Sequence, residues 1–215
     1  KVISGSVDGR LRLWNVKEGS VVGDPWEGHS DAVRCLDWSP NTREIASGSE
    51  DGAIRRWNPN TGRQIAPPIE TGHGYVHAVK YSPRGDKFAS CGYDNIIRVW
   101  SKDGKLLIEI KGHEYPVNSL CWSKDGAYIF SGSGDMTTRK WQSIDGKEFF
   151  AVIPAVSDPS VCPPMNAIFS AHQKIAQFVS GTSRRMCKLE IHSCTMMNSW
   201  PLPFPPTDDA SPVPE

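Results

Sequence analysis

The sequence predicts an all-β fold in which four-stranded antiparallel sheets recur along the chain, and three observations predict it. Trp14, Trp57, Trp100 and Trp141 are separated by 43, 43 and 41 residues. An aspartate stands six residues before each tryptophan (Asp8, Asp51, Asp94, Asp135), and a serine four residues before each aspartate (Ser4, Ser47, Ser90, Ser131). Within a unit the apolar residues alternate with a period of two, as strands require, and not with the helical 3.6. Three units also carry Gly-His upstream, at Gly28-His29, Gly72-His73 and Gly112-His113, with the histidine 22, 21 and 22 residues before its aspartate.

Taken in order through one repeat, segments 32–38, 43–47 and 53–57 read as strands because β-branched and aromatic residues fill them. Turn chemistry separates them: Ser39-Pro40-Asn41, Glu50-Asp51-Gly52 and Asn58-Pro59-Asn60-Thr61-Gly62. A fourth segment, 63–69, holds Pro67 and Pro68, which a sheet tolerates only at an edge, so the last strand is outermost. In the first strand the apolar residues step by three and then by two (Val33, Leu36, Trp38; Val76, Val79, Tyr81; Val117, Leu120, Trp122). One extra residue near the strand start, a β-bulge, accounts for that step. A single such sheet cannot cover both of its faces, so successive sheets must stack, which describes the blades of a β-propeller.

At these residues the sequence resembles the WD-repeat (β-transducin-like) propellers, over roughly residues 1–153. The residue after each tryptophan is Asn15, Asn58, Ser101 or Gln142, so the naming Trp-Asp pair is never complete. Asn and Ser can bond a turn backbone where that aspartate would. The resemblance implies three hydrogen-bonded tetrads: His29, Ser47, Asp51 and Trp57; His73, Ser90, Asp94 and Trp100; His113, Ser131, Asp135 and Trp141. In each, the indole bonds the serine, the serine the histidine, and the histidine the aspartate. It also implies a non-catalytic scaffold that binds protein or peptide partners at the mouth of its central channel. The positions around that mouth are Arg34, His77 and Asn118, after the first valine of the inner strand, with Glu50 and Tyr93 before the turn aspartate and Tyr75 beside them. There Tyr75 and Tyr93 would stack on a partner, and Arg34 or Glu50 would pair its charges.

Composition narrows the alternatives. With 24 basic and 24 acidic residues and no basic block, the chain lacks the field that nucleic acid or an anionic membrane would require. No apolar run approaches the roughly 20 residues of a membrane span and no signal peptide opens the chain, so a soluble, intracellular protein is expected. Six scattered cysteines without a Cys-x-x-Cys pair suit reduced, buried thiols and neither disulfides nor zinc. The motifs of nucleoside triphosphate sites, dinucleotide sites and nucleophile elbows are missing, so no cofactor, metal or small-molecule substrate is expected. A second reading makes the chain the sensor or regulatory repeat domain of a larger signalling protein, such as an NTPase. A ubiquitin-ligase receptor would call for Trp-Asp-x-Arg, which no repeat has, and a propeller enzyme for clustered acids.

The domain reading is a partial blade at 1–27, repeats at 28–71, 72–111 and 112–153, a degenerate blade at 154–200 and a Pro-rich disordered tail at 201–215. In the degenerate blade, 165–172 and 175–181 mimic the first two strands, but Arg184 and Glu190 replace the aspartate and tryptophan. The first repeat's histidine would precede Lys1, and the blade count is low for closure. The expectation is therefore a piece of a longer propeller.

Overall fold

The computed structural model describes residues 1–152 of the 215; the expected degenerate blade and tail lie outside them. Four antiparallel sheets follow one another along the chain. The first has three strands, β1 (Val2–Gly5), β2 (Leu11–Asn15) and β3 (Ser20–Val21). The second is β4 (Val33–Trp38), β5 (Ile45–Ser49), β6 (Ala53–Trp57) and β7 (Ile69–Glu70). The third is β8 (Val76–Tyr81), β9 (Lys87–Gly92), β10 (Ile97–Ser101) and β11 (Leu106–Ile110). The fourth is β12 (Val117–Trp122), β13 (Tyr128–Ser133), β14 (Thr138–Gln142) and β15 (Glu148–Val152). Strand order in every sheet is the order in the chain, and the first strands β1, β4, β8 and β12 pack side by side in series.

The core sits between the sheets. Ile3, Leu11 and Leu13 of the first sheet meet Val33, Ile45 and Trp57 of the second. Ala46 and Ile54, on the opposite face of the second, meet Val76, Val79, Phe88 and Trp100 of the third. Cys91, Ile97 and Val99 then meet Leu120, Ile129 and Trp141 of the fourth. Because side chains alternate between faces along a strand, one strand can feed both layers: Ile45 faces the first sheet and Ala46 the third. This explains why the middle strands are buried almost throughout. No single sheet of this kind is stable without its neighbours.

The bulge falls where the apolar spacing places it. Register shifts occur between Val33 and Cys35, Val76 and Ala78, and Val117 and Ser119. Arg34, His77 and Asn118 are therefore left without a cross-strand partner. The outer strand of the second sheet differs from its expected span of 63–69: only a bridge from Gln64 to Trp57 and the two-residue β7 pair with β6. Pro67 and Pro68, with no N–H to donate, interrupt the ladder between them. The outer strands β11 and β15 contain no proline and run for five residues each.

Candidate functional site

Each complete sheet brings its four recurrent residues into one buried chain of hydrogen bonds. Trp57 Nε1 donates to Ser47 Oγ at 2.8 Å, and His29 stands with Nε2 2.6 Å from that oxygen and Nδ1 2.7 Å from Asp51 Oδ2. In the third sheet the same distances are 2.8, 2.8 and 2.7 Å through Trp100, Ser90, His73 and Asp94. In the fourth they are 2.7, 2.7 and 2.7 Å through Trp141, Ser131, His113 and Asp135. One proton arrangement gives every atom its partner: the indole donates to the serine, the hydroxyl to a neutral imidazole's Nε2, and Nδ1–H to the carboxylate. In the first sheet Trp14 donates to Ser4 at 2.8 Å, while Asp8 takes Arg12 as its partner at 2.7 Å.

The aspartates also hold their own turns. Asp51 accepts from the backbone of Ser30 and Ala53, tying the loop ahead of β4 to the turn between β5 and β6. The residue after each turn aspartate adopts the left-handed conformation, at Gly9, Gly52, Asn95 and Met136. Met136 does so with φ of 64° against its side-chain preference.

A serine, a histidine and an aspartate in this connectivity match the order of an acyl-transfer triad. Access decides against that chemistry. Ser47, Ser90 and Ser131 have no exposed surface, and each hydroxyl already accepts an indole proton, so no substrate atom can reach the oxygen. Among the described residues, no group of His, Cys, Asp or Glu is arranged to hold a metal ion.

Burial holds His29 and His113 below the ordinary imidazole value of 6.5, and the facing carboxylates offset only part of it. Burial also pushes the aspartates toward neutrality, but their hydrogen bonds outweigh it. Asp51 and Asp94 lie below 3.8, and Asp135, bonded by Thr137 and His113, is held at about 2. Both effects have the same sign for stability. An unfolded chain takes up protons on its histidines below pH 6.5 that the fold refuses, and on its aspartates below pH 3.8. Thermal unfolding midpoints should therefore fall as pH drops below 6.5 and fall again below 3.8. A midpoint that is flat from neutral pH to below the aspartate range would contradict this.

A fifth recurrent residue escaped the sequence reading although its signal is the same fixed spacing. Arg12, Arg55, Arg98 and Arg139 each stand two residues before a repeat tryptophan. Arg98 reaches both Asp94 and Glu109 of β11, and Arg139 reaches Asp135 and Glu148 of β15. In the second sheet Arg55 meets Gln64 at 3.0 Å in place of an acid. Arg98 and Arg139 thereby fasten the outer strand of their sheets to the tetrad turn.

The candidate rim residues sort into pairs. The sequence reading offered Arg34 and Glu50 as charges for a partner. The structure pairs them with each other, Arg34 Nε at 2.7 Å and Nη2 closer still, because the bulge turns Arg34 toward the β5–β6 turn of its own sheet. Tyr75 and Tyr93 meet edge to face, their centroids 5.8 Å apart, and both are exposed. His77 reaches across to the Val117 carbonyl at 3.3 Å; burial and then the Arg34 charge lower its pKa, which that carbonyl partly restores. Asn118 lies at the equivalent bulge, beside Gly134. Tyr115 and Met136, which the reading did not single out, are also exposed on this side. Asn95 ties the turn after Tyr93 to the Glu114 carbonyl, one residue from Tyr115.

The Tyr75–Tyr93 contact rests on two departures from the repeat. His29 to Val33 and His113 to Val117 are four steps, but His73 to Val76 is three. Where Ser49 and Ser133 bond loop carbonyls at 2.9 and 2.7 Å, the third sheet has Gly92. A Cβ there would lie 2.0 Å from the Tyr75 carbonyl oxygen and 2.8 Å from His73 Cβ. The shortened loop has sunk into the space that the missing side chain leaves.

Comparison with known proteins agrees with this geometry. The family model described as "WD domain, G-beta repeat" matches residues 21–58, 67–101 and 104–142, just over half of the chain, each match covering the first three strands of one sheet. Ribosome biogenesis protein YTM1 of Vanderwaltozyma polyspora is 28% identical over 191 residues, 89% of this chain and 35% of that protein. Protein transport protein SEC13-2 of Candida glabrata is 46% identical over 43 residues, 19% of this chain and 14% of that protein. The chain thus spans about a third or less of the length of these curated relatives. Three repeats matched in register, each with its serine, histidine, aspartate and tryptophan in one buried chain, establish that this protein belongs to the WD-repeat family.

Proposed function

We propose that the chain is a non-catalytic protein-interaction scaffold, and that its docking surface is the rim carrying Arg34, Glu50, Tyr75, His77, Tyr93 and Asn118. The observation that carries this reading is the bulge at the head of each inner strand. It leaves Arg34, His77 and Asn118 outside the ladder in three successive sheets, and bulges re-aim side chains at the ends of sheets. Beside them stands an exposed tyrosine pair, a residue type enriched where binding energy concentrates. The tetrads serve the scaffold, joining the loop ahead of each first strand to the turn beside it and so setting the height of the rim. The Arg34–Glu50 pair is exposed enough to be worth little on its own, so a partner's charge can compete for either member. One relative is named for ribosome biogenesis and the other for protein transport, which suits a surface-presenting role here.

Affinity capture from native extract tests the reading, with parent and Arg34→Ala/Tyr93→Ala chains as bait. Specific partners recovered with the parent should drop at least about tenfold with the variant, corresponding to about 1.4 kcal/mol. Undiminished recovery, with the variant's unfolding midpoint unchanged, would place the docking surface elsewhere.

A further inference from the structure

The end of the sheets opposite the rim carries a groove that the repeat does not require. The β12–β13 and β14–β15 turns frame, with Lys87 at the start of β9, a cavity of about 300 Å³ whose apolar wall is Ala127, Tyr128 and Ile144. A second hollow of about 140 Å³ adjoins it through Lys87 and Ala127 and runs past Pro83, Arg84 and Trp122. The wall is preformed. Ser143 donates its N–H to the Ala127 carbonyl at 2.9 Å and its hydroxyl to the Gly126 carbonyl at 2.7 Å. Phe149 meets the Tyr128 ring edge to face at 5.6 Å, and the Lys140 ammonium stands 3.7 Å over that ring. Ile144 is left 80% exposed.

Position by position, the fourth sheet departs here from its neighbours. Arg43-Glu44 and Asp86-Lys87 stand where it has Ala127-Tyr128, and Lys17 and Asn60 where it has Ile144; the third sheet's turn is one residue shorter. A residue that folds the sheet recurs from sheet to sheet, as the tetrads do. Apolar side chains set where the other sheets are polar therefore answer to something outside the repeat, and an exposed apolar patch beside a preformed hollow marks a contact surface. Charge says what covers it. Lys87, shared by both hollows, and Arg84 make no ion pair among the described residues. The two carboxylates of the groove are turned back onto their own turns: Asp86 accepts the Ser82 hydroxyl at 2.8 Å, and Asp125 accepts the Ser123 hydroxyl and the Ala127 N–H.

We propose that this groove takes an acidic linear segment of a partner protein, with one large apolar side chain in the Tyr128–Ile144 hollow and carboxylates over Lys87 and Arg84. An apolar side chain there covers Ile144 and meets a ring already fixed in place, at little ordering cost on this chain's side. The two cations supply the charge match that selects an acidic partner over a basic one. The groove lies at the other end of the strands from Arg34, Tyr75 and Tyr93, so it is a second surface that stands whether or not the rim binds a partner.

Random linear peptides displayed on phage and panned against the full chain test this, with the Lys87→Ala/Ile144→Ser chain as counter-target. Peptides enriched on the parent should carry acidic residues close to a Leu, Phe or Trp. The variant should hold them at least about tenfold more weakly, while Arg34→Ala/Tyr93→Ala leaves them bound. Lys87 is half-buried and Ile144 exposed, so the variant's unfolding midpoint should match the parent's. Lys87→Glu should exchange the selected acids for basic residues, a reversal that a misfolded chain does not produce. The same peptides enriched on parent and variant would overturn the proposal, as would parent peptides without acids, no reversal with Lys87→Glu, or acidic peptides lost only with Arg34→Ala/Tyr93→Ala. Self-association that grows with concentration and that Ile144→Ser abolishes would give the groove to a second copy, and would overturn it too.

Discussion

Ser90→Ala should lower the stability of the chain by about 2–4 kcal/mol, the cost of leaving two buried polar groups without partners. The serine side chain is small, so little packing is lost; the damage is electrostatic. Trp100 Nε1–H loses its acceptor and His73 Nε2 its donor, both with 2.8 Å contacts to an oxygen of no exposed surface. Neither group can turn to water, because Trp100 is packed into the layer with Phe88 and Ile54 and His73 is enclosed by Arg98 and Asp94. Ser90→Thr keeps the hydroxyl and separates the two explanations: if hydrogen bonding dominates, it should cost less than alanine. Denaturant midpoints measure both. An alanine loss below about 0.5 kcal/mol, the size of an ordinary surface change, would mean that the tetrad is not what fastens the sheet. Ser4→Ala provides the internal contrast. Among the described residues its oxygen has Trp14, in a half-buried site, and no histidine bonded to it, so the effect in this chain should be smaller.

Gly92→Ser should be as damaging, about 3 kcal/mol or more, although it installs the residue that the second and fourth sheets carry at the same position. In those sheets the serine bonds a loop carbonyl. In the third, the loop is one residue shorter and the Tyr75 carbonyl occupies the place of the new Cβ, 2.0 Å away. Tyr93 N bonds that same carbonyl at 3.1 Å, so the loop cannot retreat without breaking the contact that seats the tyrosine pair. The corrective variant is informative: one residue inserted between Gly74 and Tyr75, together with Gly92→Ser, should recover most of the stability and separate the two tyrosine rings. A midpoint for Gly92→Ser within about 0.5 kcal/mol of the parent would show that the loop has freedom enough to absorb the side chain.

These two variants mark the boundary of what pattern alone conveys. The tetrads were legible because a folding device that recurs in every sheet writes its residues at a fixed period, and three of them meet in space at nearly identical distances. The bulge was legible because a single extra residue shifts the apolar alternation by one. The repeat arginines were equally periodic, yet their meaning required the outer strand: only coordinates place Glu109 and Glu148 opposite Arg98 and Arg139. The outer strand of the second sheet was placed correctly at the edge, but its 63–69 span was too long, because Pro67 and Pro68 withdraw the donors that continuous pairing needs and leave only Ile69 and Glu70 as its strand.

The amino-acid sequence by itself determined the class of fold, the order of the strands and the identity of the buried polar chain. The first two follow from local periodicity and from the rule that a two-faced sheet needs a neighbour on either side; the joining of the recurrent residues into one polar chain is what the resemblance to the WD-repeat family implies. Tertiary structure decided which rim residues are spoken for. Arg34 and Glu50, sixteen residues apart, neutralise one another; Tyr75 and Tyr93 stand together because a missing loop residue and a missing side chain compensate. Such pairings depend on distances of a few ångströms between segments that the chain order does not relate, and side-chain charge and ring contacts fall off within that range.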